Sequence, residues 1–217
     1  RMGLYRREFS VMDGQRYDTI DGRPFSSDFS FTRFLVPFLN MFEGKALYMD
    51  CDMYMRTDVS DLFDLCSLDY YPLWCVHHEY EPEASSKMDN KVQESDLRKN
   101  WSSLIMFNCA HAAHRNLSLD DVNTRAGRWL HGFEWLPDKE ADIGAIPEEW
   151  NWLDGHSPEK LEAKNVHFTT GGPWFENWQC RGKVDAKYAV EWTNDARWLQ
   201  ANGMVDGEVD YLIRAKD

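Results

Sequence analysis

Two aspartates separated by one residue, Asp50 and Asp52, follow the short apolar segment Lys45–Met49. This segment is typical of a strand buried on both faces of a parallel sheet, and ligands gather where such strands end. In an extended chain, both carboxylates point the same way and Cys51 points the other way. Two converging carboxylates repel unless a cation lies between them, and Mg²⁺ or Mn²⁺ prefers oxygen ligands. The pair therefore indicates a divalent-cation site. The alternative is an Asp-rich turn that is solvated or caps the next helix.

A second group of candidate ligands lies far along the chain, where His167 precedes the turn Gly171, Gly172 and Pro173. The two glycines allow backbone amides to approach a ligand, and Pro173 restricts Gly172 to extended conformations. Such a turn can cradle a phosphate. A neutral His167 can serve as a third metal ligand, while the alternative is a purely structural histidine.

Composition bounds the class of protein. The 217 residues fit one domain, 1–217, and the 43% hydrophobic content excludes a disordered chain. The net charge of -13, without a basic stripe, argues against a nucleic-acid partner. An anionic substrate would therefore need a local counter-charge.

Cysteine usage and hydropathy predict the compartment. Five scattered cysteines without a CxxC pair indicate reduced thiols, so we expect a cytoplasmic protein. No apolar run approaches the roughly 20 residues of a membrane span, and the first residues contain no signal-peptide core. The sequence does not indicate an oligomeric state.

Predicted strands alternate with predicted helices, which favours an α/β layered fold. The segment 79–100 is expected to be an exposed loop, 147–155 a tryptophan-rich loop, and 181–217 a C-terminal helical extension. The predicted strands are Lys45–Met49, 72–77, Leu104–Asn108 and 166–168, and the predicted helices are 32–40, 58–65, 118–130 and 186–200.

Three motifs occur in a characteristic order: the Asp50-x-Asp52 strand followed by Asp61-Leu62-Phe63, a serine-containing strand, and His167-x-x-x-Gly-Gly-Pro-Trp. Over roughly residues 31–178 this order resembles the family 8 type glycosyltransferases. The resemblance implies a GT-A fold, in which helices flank a mixed, mainly parallel sheet. It also implies transfer of a sugar from a nucleoside-diphosphate sugar to a glycan or other hydroxyl acceptor, with retention of configuration.

The resemblance assigns roles residue by residue. Asp50, Asp52 and His167 match the ligands of a divalent cation, usually Mn²⁺, with Mg²⁺ as the alternative. Glu140 and Asp142 resemble an acidic stretch beside the transferred sugar and are the implied catalytic residues. The implied donor-binding residues are Arg33, Asp50, Asp52, Ser102, Asn108, Gly171 and Gly172.

The sequence departs from the family pattern at several positions. Trp101 and Ser103 replace an asparagine and a glycine, and Gly172 stands where a phosphate-binding lysine is expected. Either the metal ion and backbone amides carry the charge of that lysine, or another cation does. Residues 1–28 show no clear apolar strand, so we expect that part of the nucleotide-binding half precedes Arg1. The candidate cations are Arg33, Arg128 and Lys183.

Three other interpretations stay open. A haloacid dehalogenase-like phosphatase would use Asp50 as nucleophile, with Asp120 and Asp121 near its Mg²⁺. A zinc site is suggested by Cys109, His111 and His114, although a fourth ligand is missing.

The ten tryptophans also suggest a non-catalytic carbohydrate-binding module or a truncated transferase. Indole rings pack well against sugar faces, and one or two are expected to line an acceptor groove. The tryptophans near the proposed site in sequence are Trp135, Trp150, Trp152, Trp174 and Trp178.

Overall fold

The computed structural model describes residues 3–67, 70–78, 86–87, 91–92, 101–175 and 186–204. The chain forms two compact units. Unit one contains Arg1–Asp50 and Asp58–Glu148, and unit two contains Cys51–Thr57 and Glu149–Asp217. Most of the predicted loop 79–100, together with Trp178 and Lys183, lies outside the described residues. The single-domain interpretation stays a prediction.

Within these described ranges the strands are short. They are β1 (Phe9–Met12), β2 (Gln15–Asp18), β3 (Pro24–Phe25), β4 (Lys45–Met49), β5 (Met53–Met55), β6 (Leu73–Val76), β7 (Ser86–Lys87), β8 (Lys91–Val92), β9 (Leu104–Asn108), β10 (Ile143–Ile146), β11 (Trp152–Leu153) and β12 (Asn165–His167).

The helices are equally short, except for the last. The α-helices are α1 (Phe29–Thr32), α2 (Val36–Leu39), α3 (Ser60–Leu65), α4 (Leu119–Thr124), α5 (Gly127–His131) and α6 (Ala186–Ala201). The 3₁₀-helices are Arg33–Leu35, Trp101–Ser103, Ala112–Asn116 and Glu148–Asn151. In the part of the chain that the structure describes, no helix combines the length and apolar character needed to cross a bilayer.

The central element of unit one is a four-stranded sheet with strand order β10-β6-β9-β4. Strands β10 and β6 are parallel, whereas β9 runs antiparallel to both of its neighbours. The α/β prediction with a mixed sheet is confirmed, but its mainly parallel character is wrong because β9 lies between β4 and β6 in the opposite direction. β4 is therefore an edge strand, and its residues are half-buried rather than covered on both faces.

The core of unit one lies against the two central strands. Every residue of β6 and β9 is buried, as expected for apolar strands covered on both faces. Aromatic rings fill the space around them, with Phe34 in edge-to-face contact with Phe133 and Trp135. This core holds the sheet in place, and Asp50 follows the last residue of β4 at one end of that sheet.

The two longer helices predicted for unit one are interrupted. The predicted helix 32–40 is a series of short turns, because Pro37 cannot donate a backbone N–H and lies in the first turn of α2. The predicted helix 118–130 is two helices, α4 and α5. The predicted cap is confirmed, since Ser118 and Asp121 form a reciprocal capping box at the start of α4.

The amino-terminal residues form a small antiparallel sheet, β1-β2-β3, where no strand was predicted. Asp13 and Gly14 connect β1 and β2 with positive φ angles of 50° and 77°. This Asp-Gly pair is the usual signal for a tight hairpin, and it could have been recognised in the sequence.

Unit two contains a second sheet with strand order β11-β12-β5. β12 is parallel to β11 and antiparallel to β5, so the strand that follows Asp52 pairs with the strand that ends at His167. The predicted tryptophan-rich loop is wrong in part, because it contains β11 and a 3₁₀-helix. Tyr188 of α6 packs edge-to-face on Trp152, at 5.0 Å between ring centroids.

Candidate metal centre

Asp52 and His167 form the centre of the candidate site in unit two. The Nε2 atom of His167 lies 3.4 Å from Oδ1 of Asp52, and the histidine side chain is only 2% exposed. The pairing of β12 with β5 produces this approach, since His167 is in register with Met53. The Phe168 N–H also donates to the backbone oxygen of Asp52 at 3.0 Å. Ordinary sheet hydrogen bonds therefore position both side chains.

A third residue of unit two orients the imidazole. Nδ1 of His167 donates a hydrogen bond of 3.0 Å to the side-chain oxygen of Asn151. Asn151 ends the 3₁₀-helix Glu148–Asn151 and is completely buried. With the proton on Nδ1, the lone pair lies on Nε2, which is the atom that faces Asp52.

Asp50 is the last residue of the first segment of unit one and has its own partners in that unit. Arg33 approaches its Oδ1 atom at 3.0 Å, and the Tyr48 hydroxyl donates to the same oxygen at 2.7 Å. Tyr48 and Asp50 lie two residues apart, so strand alternation places them on one face. Asp50 therefore has an oriented carboxylate whose Oδ2 atom is not used by these two contacts.

Arg33 connects Asp50 to the start of β9. Its Nε donates to the backbone oxygen of Phe29 at 2.8 Å, and one terminal nitrogen donates to the backbone oxygen of Ser102 at 2.5 Å. The Ser102 hydroxyl lies 2.7 Å from Nδ1 of His131. Sequence reasoning did not identify His131, because its only signal is the long-range contact itself.

Asp50, Asp52 and His167 form the candidate group of metal ligands within the described residues. Only Cys51 separates the two aspartates, so the covalent chain keeps their Cα atoms within about 7 Å of each other. Two carboxylate oxygens and one imidazole nitrogen suit Mn²⁺, and the oxygens also suit Mg²⁺. The residues present therefore fit the divalent cation that the sequence predicts.

Comparison with known proteins places the chain in a family. No protein-family model matches it. The chain is 41% identical over 200 residues to protein CDI of Arabidopsis thaliana, and this match covers 90% of the chain and 70% of that protein. The chain belongs to the CDI family.

Among solved structures, this CDI-family chain is similar to the apo structure of the bifunctional glycosyltransferase WbbM. The TM-score is 0.47 and the sequence identity is 17%, over 74% of the chain. The chain spans 34% of the length of the WbbM chain.

Three predicted site residues lie at the other end of the unit-one sheet. Asn108 pairs with Lys45, the first residue of β4, whereas Leu104 pairs with Met49 next to Asp50. Four residues of extended chain separate the two ends by roughly 13 Å. The structure thus does not bring Asn108 to Asp50. Its amide instead donates to the backbone oxygen of Tyr71 at 3.3 Å.

Glu140 and Asp142 also lie at the end of the unit-one sheet that is far from Asp50. Both precede β10, whose first residue lies level with the start of β6 and hence far from Asp50. Asp142 accepts a hydrogen bond from the Asp138 N–H at 2.9 Å and closes its own turn. The structure thus does not bring these two residues to Asp50, and their catalytic role stays a prediction.

The glycine turn of unit two is buried. Gly171 adopts a φ of 108°, which a residue with a side chain rarely tolerates. A Cβ atom on Gly172 would lie 2.2 Å from the Trp174 ring, so this glycine is required for packing. Whether the turn contacts a phosphate stays a prediction.

Side chains named by the alternative interpretations have structural partners. Asp120 pairs with Arg6, and Asp121 caps α4, so the acidic pair of the phosphatase hypothesis serves helix α4. His114 donates from Nε2 to the backbone oxygen of Pro72 at 2.8 Å, and His111 caps its own helix. These contacts provide no support for a zinc site.

Most of the tryptophans near the proposed site in sequence belong to the core. Trp135, Trp150 and Trp152 are at most 4% exposed, so they cannot line an acceptor groove. Trp174 is half-buried and packs on Phe168 and Trp192. Cys66, Cys75 and Cys109 are also buried, and burial raises the pKa of the Cys66 thiol to about 12.

Proposed function

We propose that the chain is a metal-dependent glycosyltransferase that moves a sugar from a nucleoside-diphosphate sugar to a hydroxyl acceptor. The observation that carries this proposal is the approach of His167 Nε2 to Asp52, two residues after Asp50 at the end of a sheet strand. This arrangement unites the two motifs that the sequence resemblance relates to donor binding. Retention of anomeric configuration rests on that resemblance alone.

The chain has a clear physical need for a cation. A nucleoside diphosphate is an anion, and the protein carries a net charge of -13. When bound, a divalent cation would neutralise the diphosphate and stabilise the negative charge that develops on the departing phosphate. Asp50, Asp52 and His167 would hold it through Oδ2, a carboxylate oxygen and Nε2, respectively.

The remaining residues orient the donor. Arg33 and Tyr48 hold Oδ1 of Asp50, and Arg33 also fixes the backbone oxygen of Ser102. In this proposal Arg33 acts on the donor through Asp50. In this proposal the turn that contains Gly171 and Gly172, which follows His167, lies beside the diphosphate.

The transfer involves one bond exchange. The bond between the anomeric carbon and the diphosphate oxygen breaks, and both electrons leave with the diphosphate. The acceptor hydroxyl oxygen forms the new bond to the anomeric carbon. Its proton passes to the departing diphosphate, because retention places acceptor and leaving group on the same face of the sugar.

Hydrolysis of a panel of UDP- and GDP-sugars by the purified full chain tests this proposal. We expect turnover in Mn²⁺ that EDTA abolishes. Asp52→Ala should reduce the rate by at least about 100-fold, since it removes a ligand that supplies transition-state charge stabilisation. Asp64→Ala, which removes an exposed carboxylate on α3, is the matched control and should retain the wild-type rate.

Other outcomes would identify the alternatives. Glycan binding that needs no metal and is unchanged in Asp52→Ala would indicate a binding module. Hydrolysis of a generic phosphomonoester, with a phosphate mimic trapped on Asp50, would indicate a phosphatase. Absence of both metal-dependent donor binding and hydrolysis across the panel would overturn the proposal.

A further inference from the structure

We infer that Asn151 is a positioning residue that holds His167 in the tautomer required for metal binding. This inference rests on the proposed function, because it concerns the same candidate centre. Asn151 does not belong to any of the three motifs of the sequence resemblance. Its assignment depends on its contact with the imidazole.

The contact is directional and completely buried. The Asn151 side-chain oxygen accepts from Nδ1 of His167 at 3.0 Å, and Nε2 on the opposite side of the ring lies 3.4 Å from Asp52. Asn151 is 0% exposed and His167 is 2% exposed. One ring nitrogen is therefore used by the protein, and the other faces the candidate ligand.

The backbone around Asn151 is also fixed. Asn165 donates from its side-chain nitrogen to the backbone oxygen of Trp150 at 2.9 Å, which connects the 3₁₀-helix to β12. Immediately after Asn151, β11 pairs in parallel with β12, with Leu153 in register with His167. The acceptor oxygen and the imidazole are thus held on adjacent strands.

The chemical consequence follows from the imidazole. A neutral histidine has one N–H and one lone pair, and only the nitrogen with the lone pair binds a metal. A carbonyl oxygen at Nδ1 requires the proton there and leaves the Nε2 lone pair toward Asp52. Because the acceptor is an amide, it selects the tautomer without adding a charge to a completely buried position.

A side chain that hydrogen-bonds a metal ligand without contacting the metal usually changes the metal affinity by about 10- to 100-fold when it is removed. We therefore expect the Mn²⁺ dissociation constant of Asn151→Leu to rise by that factor. Asn151→Asp keeps an acceptor oxygen on Nδ1 and should bind Mn²⁺ at least as tightly as wild type. Titration with Mn²⁺ followed by electron paramagnetic resonance measures both constants on the full chain.

A second readout needs no metal. Long-range ¹H–¹⁵N spectra of the metal-free protein at pH 8 report which ring nitrogen carries the proton, with the His167 signals identified by their loss in His167→Gln. Wild type and Asn151→Asp should show the proton on Nδ1, and Asn151→Leu should show a mixture. Asn123→Leu removes a buried amide of unit one, which donates to the backbone oxygens of Leu4 and Leu119, and should retain the Nδ1 proton.

The two readouts separate this inference from the proposed function. If wild type does not bind Mn²⁺, the metal-dependent function fails, while the spectra still test Asn151. If Asn151→Leu keeps both the wild-type tautomer and an unchanged Mn²⁺ affinity, the inference is overturned. If Asn123→Leu shifts the tautomer as strongly as Asn151→Leu, the effect is general destabilisation of the fold, and the inference is overturned as well.

Discussion

Asp50 and Asp52 are held by different kinds of contact, although only one residue separates them. Asp50 contacts a cation and a phenol, Arg33 and Tyr48, through one oxygen. Asp52 approaches an imidazole whose other nitrogen is bound to a neutral amide. The two carboxylates therefore have different electrostatic surroundings, and their substitutions should have different consequences.

Arg33 is the residue whose replacement tests the surroundings of Asp50. Lysine cannot donate simultaneously to Phe29, Ser102 and Asp50, because its ammonium is a single point on a flexible stem. We expect Arg33→Lys to lower the free energy of unfolding by roughly 1–3 kcal/mol, since buried polar partners lose their hydrogen bonds. Urea unfolding measures this change.

Arg16→Lys is the control for the Arg33 substitution. The Arg16 pair with Asp28 is 3.5 Å long and largely exposed, with 35% and 49% of the side chains accessible. An exposed pair of this kind contributes at most about 1 kcal/mol. Equal losses in the two variants would contradict a structural role for the Arg33 network.

At the scale of elements, β9 decides which side chains can meet. Its antiparallel direction places Ser102 and Ser103 near the Asp50 end of the sheet, where the Ser103 oxygen accepts from the Asp50 N–H at 2.9 Å. The same direction places Asn108 at the far end. Local apolar patterns predict β9 itself, but they contain no information about its direction or neighbours.

The bounds of individual strands were therefore predicted better than the order and direction in which the strands pair. Lys45–Met49 and Leu104–Asn108 were predicted with the correct bounds, because continuous apolar runs are a local signal. The position of Asp142 at the end of the sheet away from Asp50 was not predicted, because strand order is a long-range property. Asn151 was missed because it lies in a segment that resembles a loop and has no motif of its own.

The 3₁₀-helix Ala112–Asn116 contacts the strand β6 region through His114, and this residue is predicted to make the free energy of unfolding depend on pH. His114 is completely buried and donates from Nε2 to the oxygen of Pro72, just before β6. Burial lowers the pKa of His114 from 6.5 to about 4. Between these values the unfolded chain binds the additional proton, so stability falls as the pH decreases from about 6.5 to about 4.

His114→Gln tests this linkage, because glutamine keeps an N–H donor but does not titrate. Wild type should lose on the order of 3 kcal/mol more than the variant between pH 7.5 and pH 4, as estimated from the size of the pKa shift. Urea unfolding across this range provides the two curves. Parallel curves would contradict a neutral, buried His114 in the folded protein.

At the scale of the whole molecule, the sequence and the structure agree on the α/β class and on the candidate ligands. The motif aspartates and His167 are more than 100 residues apart in sequence, and the family resemblance assigns them to one metal site. The pairing of β5 with β12 provides the physical basis for the His167 side of this relation. The donor and the acceptor depend on surfaces that these ligands do not determine.

The charge of the whole chain leads to the last prediction. With a net charge of -13, the protein repels a nucleotide anion unless a cation mediates binding. We expect UDP or GDP at about 100 times its dissociation constant to stabilise the folded chain by about 2.7 kcal/mol in Mn²⁺, which corresponds to roughly 5–10 °C in melting temperature. In EDTA the same nucleotide should produce no shift in melting temperature. Inorganic pyrophosphate should also produce no shift if the nucleoside contributes to binding. Thermal unfolding of wild type and Asp52→Ala measures this difference, and an equal shift in EDTA would show that nucleotide binding does not depend on the metal.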